Sequence, residues 1–152
     1  MTFAEILMIQ IRQIDFGTPE YDEAVQLRYE VLRRPLGLAY TPEQLAAEYA
    51  EIHLAAFDVQ GRLVGYLNLS PLPGGYVKMR QVAVAPEAQR CGIGRKLVEN
   101  SEQLAKELGF SVMTLHARES AVPFYARLGY ETLGGRFEEV TIPHFKMEKK
   151  LE

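Results

Sequence analysis

The chain has 152 residues and a mass of 17.2 kDa, enough to bury a core without disulfide or metal staples. Apolar residues make up 47% and charged residues 24%, which excludes a disordered chain, a collagen-like fibre and a coiled coil. With 17 Lys and Arg against 20 Asp and Glu the net charge is −3. No basic excess drives binding to a phosphate backbone, so no nucleic-acid partner is expected.

Cys91 is the only cysteine. An internal disulfide and a cysteine-only metal site are excluded, and a reducing cytoplasm fits best. The opening residues MTFAEILMIQIRQ lack a basic n-region and carry Glu5 within the apolar stretch, unlike a secretory signal. No apolar run approaches the roughly 18 residues of a bilayer span. The expected location is cytoplasmic, with no membrane partner.

In chain order, residues 6–16 read as a first strand. Thr18-Pro19-Glu20 opens a helix, with Thr18 as N-cap and proline at N1. Val25, Leu27, Val31 and Leu32 give it an apolar face, and Pro35 ends it. Thr41-Pro42-Glu43 repeats the start signal for a shorter helix. Residues 53–58 and 63–69 form a hairpin about Gln60-Gly61. The loop SPLPGGY, residues 70–76, is too short to separate domains, so a single domain over 1–152 is expected. Residues 76–84 form the next strand, stopped by Pro86. A helix over 92–108 follows, with Ile93, Leu97, Leu104 and Leu108 on one stripe, small Ser101 and Ala105 beside it, and Gly109 at its end. Residues 110–115 form an apolar strand, Ser120 caps a helix over 121–128, and 130–133 and 144–149 are closing strands. The order β-α-α-β-β-β-α-β-α-β-β is a mixed α/β sheet with helices on its faces.

The informative segment is Val82-Ala83-Val84-Ala85-Pro86-Glu87-Ala88-Gln89-Arg90-Cys91-Gly92-Ile93-Gly94-Arg95. A strand runs into a tight loop that opens a long helix. Backbone amides at a helix start have no intrahelical acceptor and sit at the positive end of the dipole, which makes an anion site. Glycine lets a diphosphate approach the backbone. Arg90, Arg95 and Lys96 add positive charge at the rim of an acidic protein. The pattern is neither G-x-G-x-x-G nor a Walker A loop. The plainer alternative is a glycine turn flanked by solvated arginines.

Gln89-Arg90-Cys91-Gly92-Ile93-Gly94, after a V-A-V-x-P strand end, resembles the Q/R-x-x-G-x-G/A signature of the GCN5-related N-acetyltransferases (GNAT family). Ala121-Val122-Pro123-Phe124-Tyr125-Ala126-Arg127-Leu128-Gly129-Tyr130 is similar to that family's A-x-x-F-Y-x-x-x-G-[FY] block. The stretch Glu138 to His144 resembles the I-P-H ending of a branch of small bacterial members.

The resemblance implies a GNAT-like acyl-CoA N-acyltransferase fold: a mostly antiparallel sheet with one splayed parallel pair, strands 76–84 and 110–115, holding acetyl-CoA in the gap. It implies that the backbone of Val82, Ala83 and Val84 pairs with the pantetheine arm. The loop of Gln89, Arg90, Cys91, Gly92, Ile93, Gly94 and Arg95 takes the pyrophosphate, and an amide near Val82 faces the thioester carbonyl. Tyr125 matches the family's general acid, a phenol that stays protonated at neutral pH and supplies a proton to the leaving thiolate. Apart from the motif, Tyr125 reads as a core residue of an amphipathic helix. Arg118 stands where many members carry Asn, and either pairs with Glu119 or reaches the cofactor.

The implied reaction is acetyl transfer from acetyl-CoA, with no metal, to a primary amine on a small molecule or peptide. The alternative is a non-catalytic acyl-CoA-binding or regulatory module. Small members of the family are often dimers, so a homodimer is among the implied assemblies. Candidates for the base that deprotonates the amine are His53, His116, His144, Glu138, Glu139 or ordered water. Arg28, Arg33 and Arg34 either meet an acidic acceptor or form the solvated face of helix 19–34, and the solvated face is the expected one. Tyr40 and Tyr49 either wall a pocket or are half-buried aromatics. Cys91 reads as a variable loop residue.

Overall fold

A computed structural model describes residues 1–152. It is a mixed α/β sheet of seven strands in the order β1-β2-β3-β4-β5-β7-β6, with flanking helices. Packing groups the chain into two compact units. The first holds residues 1–70 and 81–101, and the second holds 71–80 and 102–152.

The first unit begins with α1 (Phe3–Leu7), where the residues at 6–9 were expected in a strand. Thr2 accepts from the Glu5 amide and Glu5 reaches back to the Thr2 amide. This reciprocal capping box stabilises a first turn that apolar patterning hides. The first strand is therefore the shorter β1 (Gln10–Ile14). Helix α2 (Pro19–Arg28) starts as the sequence predicts, with Thr18 capping Tyr21 and proline at N1. It continues through a π-helical turn at Tyr29–Arg33 and a 3-10 turn at Arg34–Leu36. Thr41 caps α3 (Pro42–Ala46). Strands β2 (Ile52–Phe57) and β3 (Leu63–Pro71) form the expected hairpin, and β1 adds to it antiparallel, Ile14 opposite His53.

Ile14, Ala24, Ala55, Phe57 and Tyr66 form this unit's core. Gly65 sets how near the next helix comes. A Cβ there would stand 2.8 Å from Leu97 Cδ1 and 3.2 Å from Ile93 Cγ2, side chains at the start of α4 (Ile93–Glu107). The α4 stripe is buried at Ile93, Leu97, Ser101 and Ala105, whereas Leu108, predicted to continue it, is 53% exposed. Leu108 lies past the helix end, just before Gly109 turns the chain at φ 91°.

The second unit is built on β4 (Tyr76–Val84), whose first half pairs in parallel with β5 (Val112–Arg118), from Tyr76 opposite Val112 to Met79 opposite Leu115. Strand β5 runs three residues beyond its predicted end. It pairs antiparallel with β7 (Ile142–Lys150), which pairs with β6 (Glu131–Glu139). Both closing strands are longer than predicted. They meet at Val140-Thr141, two non-glycine residues at φ 46° and 66°. Ser120 does not cap the following helix. A 3-10 turn at Glu119–Ala121 comes first and α5 (Val122–Arg127) has Ala121 as its N-cap, with no side-chain cap. Lys149 is pinned by the Leu128 carbonyl at 2.8 Å and Glu102 at 2.9 Å.

Candidate functional site

The predicted anion loop lies in the first unit. Arg90 and Gly92 both take the left-handed conformation, at φ 64° and 81°. The Lys96 backbone amide donates to the Gly92 carbonyl at 3.0 Å, which makes Gly92 the residue capping α4. The amides of Ile93, Gly94 and Arg95 fall in the first turn, where a helix offers its N–H groups no carbonyl. A Cβ at Gly92 would meet nothing within 4 Å. That glycine is needed for its backbone angle, not for packing, and the space beside it is open. Left-handed residues alternating before a helix start form the concave, amide-lined nest that suits phosphate oxygens.

The side chains around the loop divide by role. Gln89 donates to the Val84 carbonyl at 3.0 Å and ties the loop back to β4. The Cys91 thiol makes a contact of 3.6 Å with the Gln89 carbonyl. Arg90 is exposed, and Arg95 is exposed with a loose 3.5 Å contact to Glu99. The Lys96 side chain, expected at the basic rim, donates instead to the Ile9 carbonyl at 3.2 Å, so the exposed cations of the rim are the two arginines. Upstream, Ala83 is buried while Val82 and Val84 are half-buried.

Just before these residues stands Gln81, at φ 57° within β4. A left-handed non-glycine residue inside a strand is strained unless its surroundings hold it. Here the amide nitrogen of Gln81 donates to Glu48 at 3.0 Å and to Asn68 at 3.1 Å. Glu48 in turn receives a two-pronged contact from Arg28, at 2.6 and 2.7 Å, and the Tyr21 hydroxyl at 2.7 Å. Burial alone would raise the Glu48 carboxyl, but Arg28, Tyr21 and Gln81 hold it below its ordinary range. Arg28, predicted on a solvated face, is completely buried. Tyr66 accepts from it at 2.9 Å, and the Tyr40 ring lies 4.7 Å below its guanidinium and 4.5 Å from that of Arg33. Arg34 is exposed and pairs with Glu30. Tyr49 is 73% exposed, more than the half-buried aromatic expected.

The second unit holds Tyr125 on α5. It is 7% exposed, edge-on to Phe124 at 5.0 Å and to Tyr130 at 5.8 Å. Burial raises its phenol, so the hydroxyl keeps its proton. Tyr130 differs, since its hydroxyl donates to Glu102 at 2.8 Å.

The base candidates separate. His53 is buried in the first unit, with Nδ1 on the Tyr66 hydroxyl at 2.7 Å and Nε2 on the Glu48 carbonyl at 3.0 Å, and burial lowers its pKa. Both ring nitrogens are used structurally. His116, His144 and Glu139 come together in the second unit. His116 Nδ1 lies 2.9 Å from Glu139 Oε1, and His144 Nε2 lies 3.7 Å from Oε2. Burial would raise the Glu139 carboxyl, but the hydrogen bond and charge of His116 keep it low. Glu138, the preceding residue on β6, faces the opposite way. Glu119 is 3.5 Å from Arg136.

No group of histidine, cysteine and acidic residues is arranged to hold a metal ion, and no helix is long and apolar enough to cross a membrane.

Comparison with known proteins bears on the fold and the family. The acetyltransferase (GNAT) domain matches residues 25–151. The uncharacterized N-acetyltransferase YjcF of Bacillus subtilis is 34% identical over 128 residues, 84% of this chain and 90% of YjcF. Other matches are partial. YyaT of Bacillus subtilis is 31% identical over 78 residues, 51% of this chain and 53% of YyaT, so the chain spans about half the length of some relatives it matches. Among solved structures, an acyl-CoA N-acyltransferase from Pseudomonas aeruginosa superposes with a TM-score of 0.78 at 24% identity, covering 93% of this chain and 99% of the other. An aminoglycoside 6'-N-acetyltransferase complexed with coenzyme A gives 0.78 at 19% identity, covering 94% and 97%. These likenesses concern the fold. With the domain matched over most of its length and a relative of this identity aligned nearly end to end, the chain belongs to the GNAT family of acetyltransferases.

Proposed function

We propose that the protein transfers an acetyl group from acetyl-CoA to a primary amine on a small molecule or peptide. The carrying observation is the nest at Arg90 to Arg95, where two left-handed residues precede the free amides of α4. The coenzyme A complex of the aminoglycoside 6'-N-acetyltransferase, a protein of the same fold, supports this reading.

In this reading the amides of Gly92, Ile93, Gly94 and Arg95 hold the pyrophosphate, and the Arg90 and Arg95 guanidiniums add charge at its edge. Gln89, by closing on the Val84 carbonyl, fixes the loop relative to β4. That carbonyl is thereby engaged, and the pantetheine arm pairs with the remaining backbone of Val82, Ala83 and Val84. Gln81 sets the direction in which the Val82 amide points, which is where an oxyanion donor is required.

Tyr125 serves the leaving thiolate. A phenol held protonated by burial gives a hydrogen bond to the sulfur as negative charge grows there, with proton transfer late in the step. No protein group competes for that hydroxyl. The reading is tested by titration calorimetry with coenzyme A, followed by assay of free thiol over polyamines, amino sugars, amino acids and peptide N-termini. Binding with amine-dependent thiol release is expected. Absence of heat at millimolar coenzyme A overturns it. Binding without turnover favours a regulatory acyl-CoA module.

A further inference from the structure

Four strands of the second unit bring titratable side chains together. Glu139 of β6 contacts His116 of β5 and His144 of β7, and Lys78 Nζ of β4 lies 3.4 Å from His116 Nδ1. Phe137 stands edge-on to His116 at 5.0 Å and stacks on His144 at 6.0 Å, which restrains both rings.

The two histidines are not equivalent. His144 is 4% exposed and its Nδ1 donates to the Ile142 carbonyl at 2.8 Å. The His116 side chain is 28% exposed. An ionised carboxylate can only accept hydrogen bonds and an ammonium can only donate them, so the two partners of Nδ1 compete. The carboxylate at 2.9 Å is the close one and the Lys78 ammonium at 3.4 Å the distant one, which places the His116 proton on Nδ1, with Lys78 as a neighbouring charge. The lone pair is then on Nε2, which no protein group engages. A carboxylate that fixes the tautomer and leaves the far nitrogen basic is how proteins build a histidine base. His116 is also the first residue of β5 past the parallel ladder with β4, which ends at Met79 and Leu115.

We propose that His116 is the general base of the acetyl transfer and that Glu139 is its positioning residue, an inference that rests on the transfer reading above. The acceptor ammonium gives one proton to His116 Nε2. Its nitrogen lone pair then forms a bond to the thioester carbonyl carbon. The carbon–sulfur bond breaks with its electron pair on sulfur, which takes the Tyr125 proton. The second proton leaving nitrogen restores the tyrosine hydroxyl, and His116 releases its proton to water. Ammonium and thioester thus become amide, thiol and one proton. The charges around the ring are Lys78 on β4, Glu139 on β6, and His144 and Lys146 on β7, with Lys146 3.8 Å from Glu148. Arg80 and Arg118 stand two positions further along β4 and β5.

The experiment measures pH profiles of thiol release from acetyl-CoA for wild type, His116→Asn, His116→Ala with added imidazole, and Glu139→Gln. The acceptor is the amine turned over fastest among spermidine, glucosamine, lysine and an alanine-terminated peptide. Coenzyme A affinity is read in parallel. Removing the base should lower kcat by on the order of a hundredfold or more, with coenzyme A affinity within threefold, and imidazole should restore part of it. Glu139→Gln, at a half-exposed position, should move the rising limb of kcat/KM to lower pH by removing the anion beside the imidazolium. If coenzyme A does not bind wild type, or no amine is turned over, the transfer reading falls and this one with it. If wild type turns over but His116→Asn keeps kcat within threefold, or Glu139→Gln leaves the limb in place, His116 is not the base and the transfer reading stands.

Discussion

The Arg28 guanidinium grips both oxygens of Glu48, at 2.6 and 2.7 Å, with the arginine completely buried and the glutamate 5% exposed. This pair is the centre from which hydrogen bonds run to Tyr21, Tyr66 and Gln81. Removing one partner strands a buried charge. Glu48→Gln and Arg28→Met should each destabilise by about 3–5 kcal/mol, and the double variant should lose less than the sum. Urea denaturation of the three variants measures this.

The same network predicts acid sensitivity. His53 has its pKa lowered from 6.5 by burial, and Glu48 is held below 4.5 chiefly by Arg28 against the effect of burial. In both cases the unfolded chain takes up a proton first as the pH falls, so folding stability falls with it. The His53 contribution is complete above pH 6.5 and is lost below it. The Glu48 contribution is complete above 4.5 and is lost as the pH drops through the folded value. Unfolding free energy should decline in two stages, and Glu48→Gln should shrink the lower one, leaving the part that comes from Asp58 and Glu139, whose carboxyls the fold also holds low.

Gln81 tests how a left-handed residue is held in a strand. Gln81→Gly relieves the backbone cost of about 1 kcal/mol but gives up the bonds to Glu48 and Asn68, so its net effect on stability should be small. Gln81→Val keeps the conformation, loses the bonds and places a β-branched side chain at φ 57°; it should cost about 2 kcal/mol or more. Denaturant midpoints distinguish the two, and both should weaken coenzyme A binding.

Gly92→Ala should destabilise by about 1–2 kcal/mol through its φ of 81° alone, because no atom lies within 4 Å of the new methyl. Coenzyme A affinity should fall by about tenfold or more, since in the proposed binding mode a methyl then stands where the diphosphate approaches. Calorimetry at matched fractions folded separates the two losses.

Tyr125→Phe should leave the melting temperature nearly unchanged, because the lost hydroxyl holds no protein partner, while kcat falls by about 10–100-fold at constant coenzyme A affinity. A kcat within twofold of wild type, measured with chemistry rate-limiting, removes the acid role.

Legibility from sequence followed the range of the interactions involved. The caps at Thr18 and Thr41 and the glycines before α4 are written in a few adjacent residues, and the structure has them where the motifs put them. The Thr2–Glu5 capping box is just as local; its T-x-x-E spacing signalled the helix that the apolar run obscured. Arg28 was opaque for the opposite reason. Its partner is 20 residues away, and a charged residue on an amphipathic helix reads as solvated unless the counter-ion is known. The left-handed backbone at Gln81 leaves no sequence sign, since glycine or asparagine is the usual mark of that conformation. The meeting of His116, Glu139 and His144 depends on the pairing register of β5, β6 and β7, which side-chain alternation alone does not set.

The bend at Val140-Thr141 uses two residues ill suited to it, where Asn-Gly would sit at ease. A cheap repair has therefore gone unused directly beside Glu139. A protein shaped for thermal endurance alone would carry the glycine. Exchanging the pair for Asn-Gly should yield a molecule that melts later, and, by loosening the aim of the adjoining carboxylate, one that turns over more slowly.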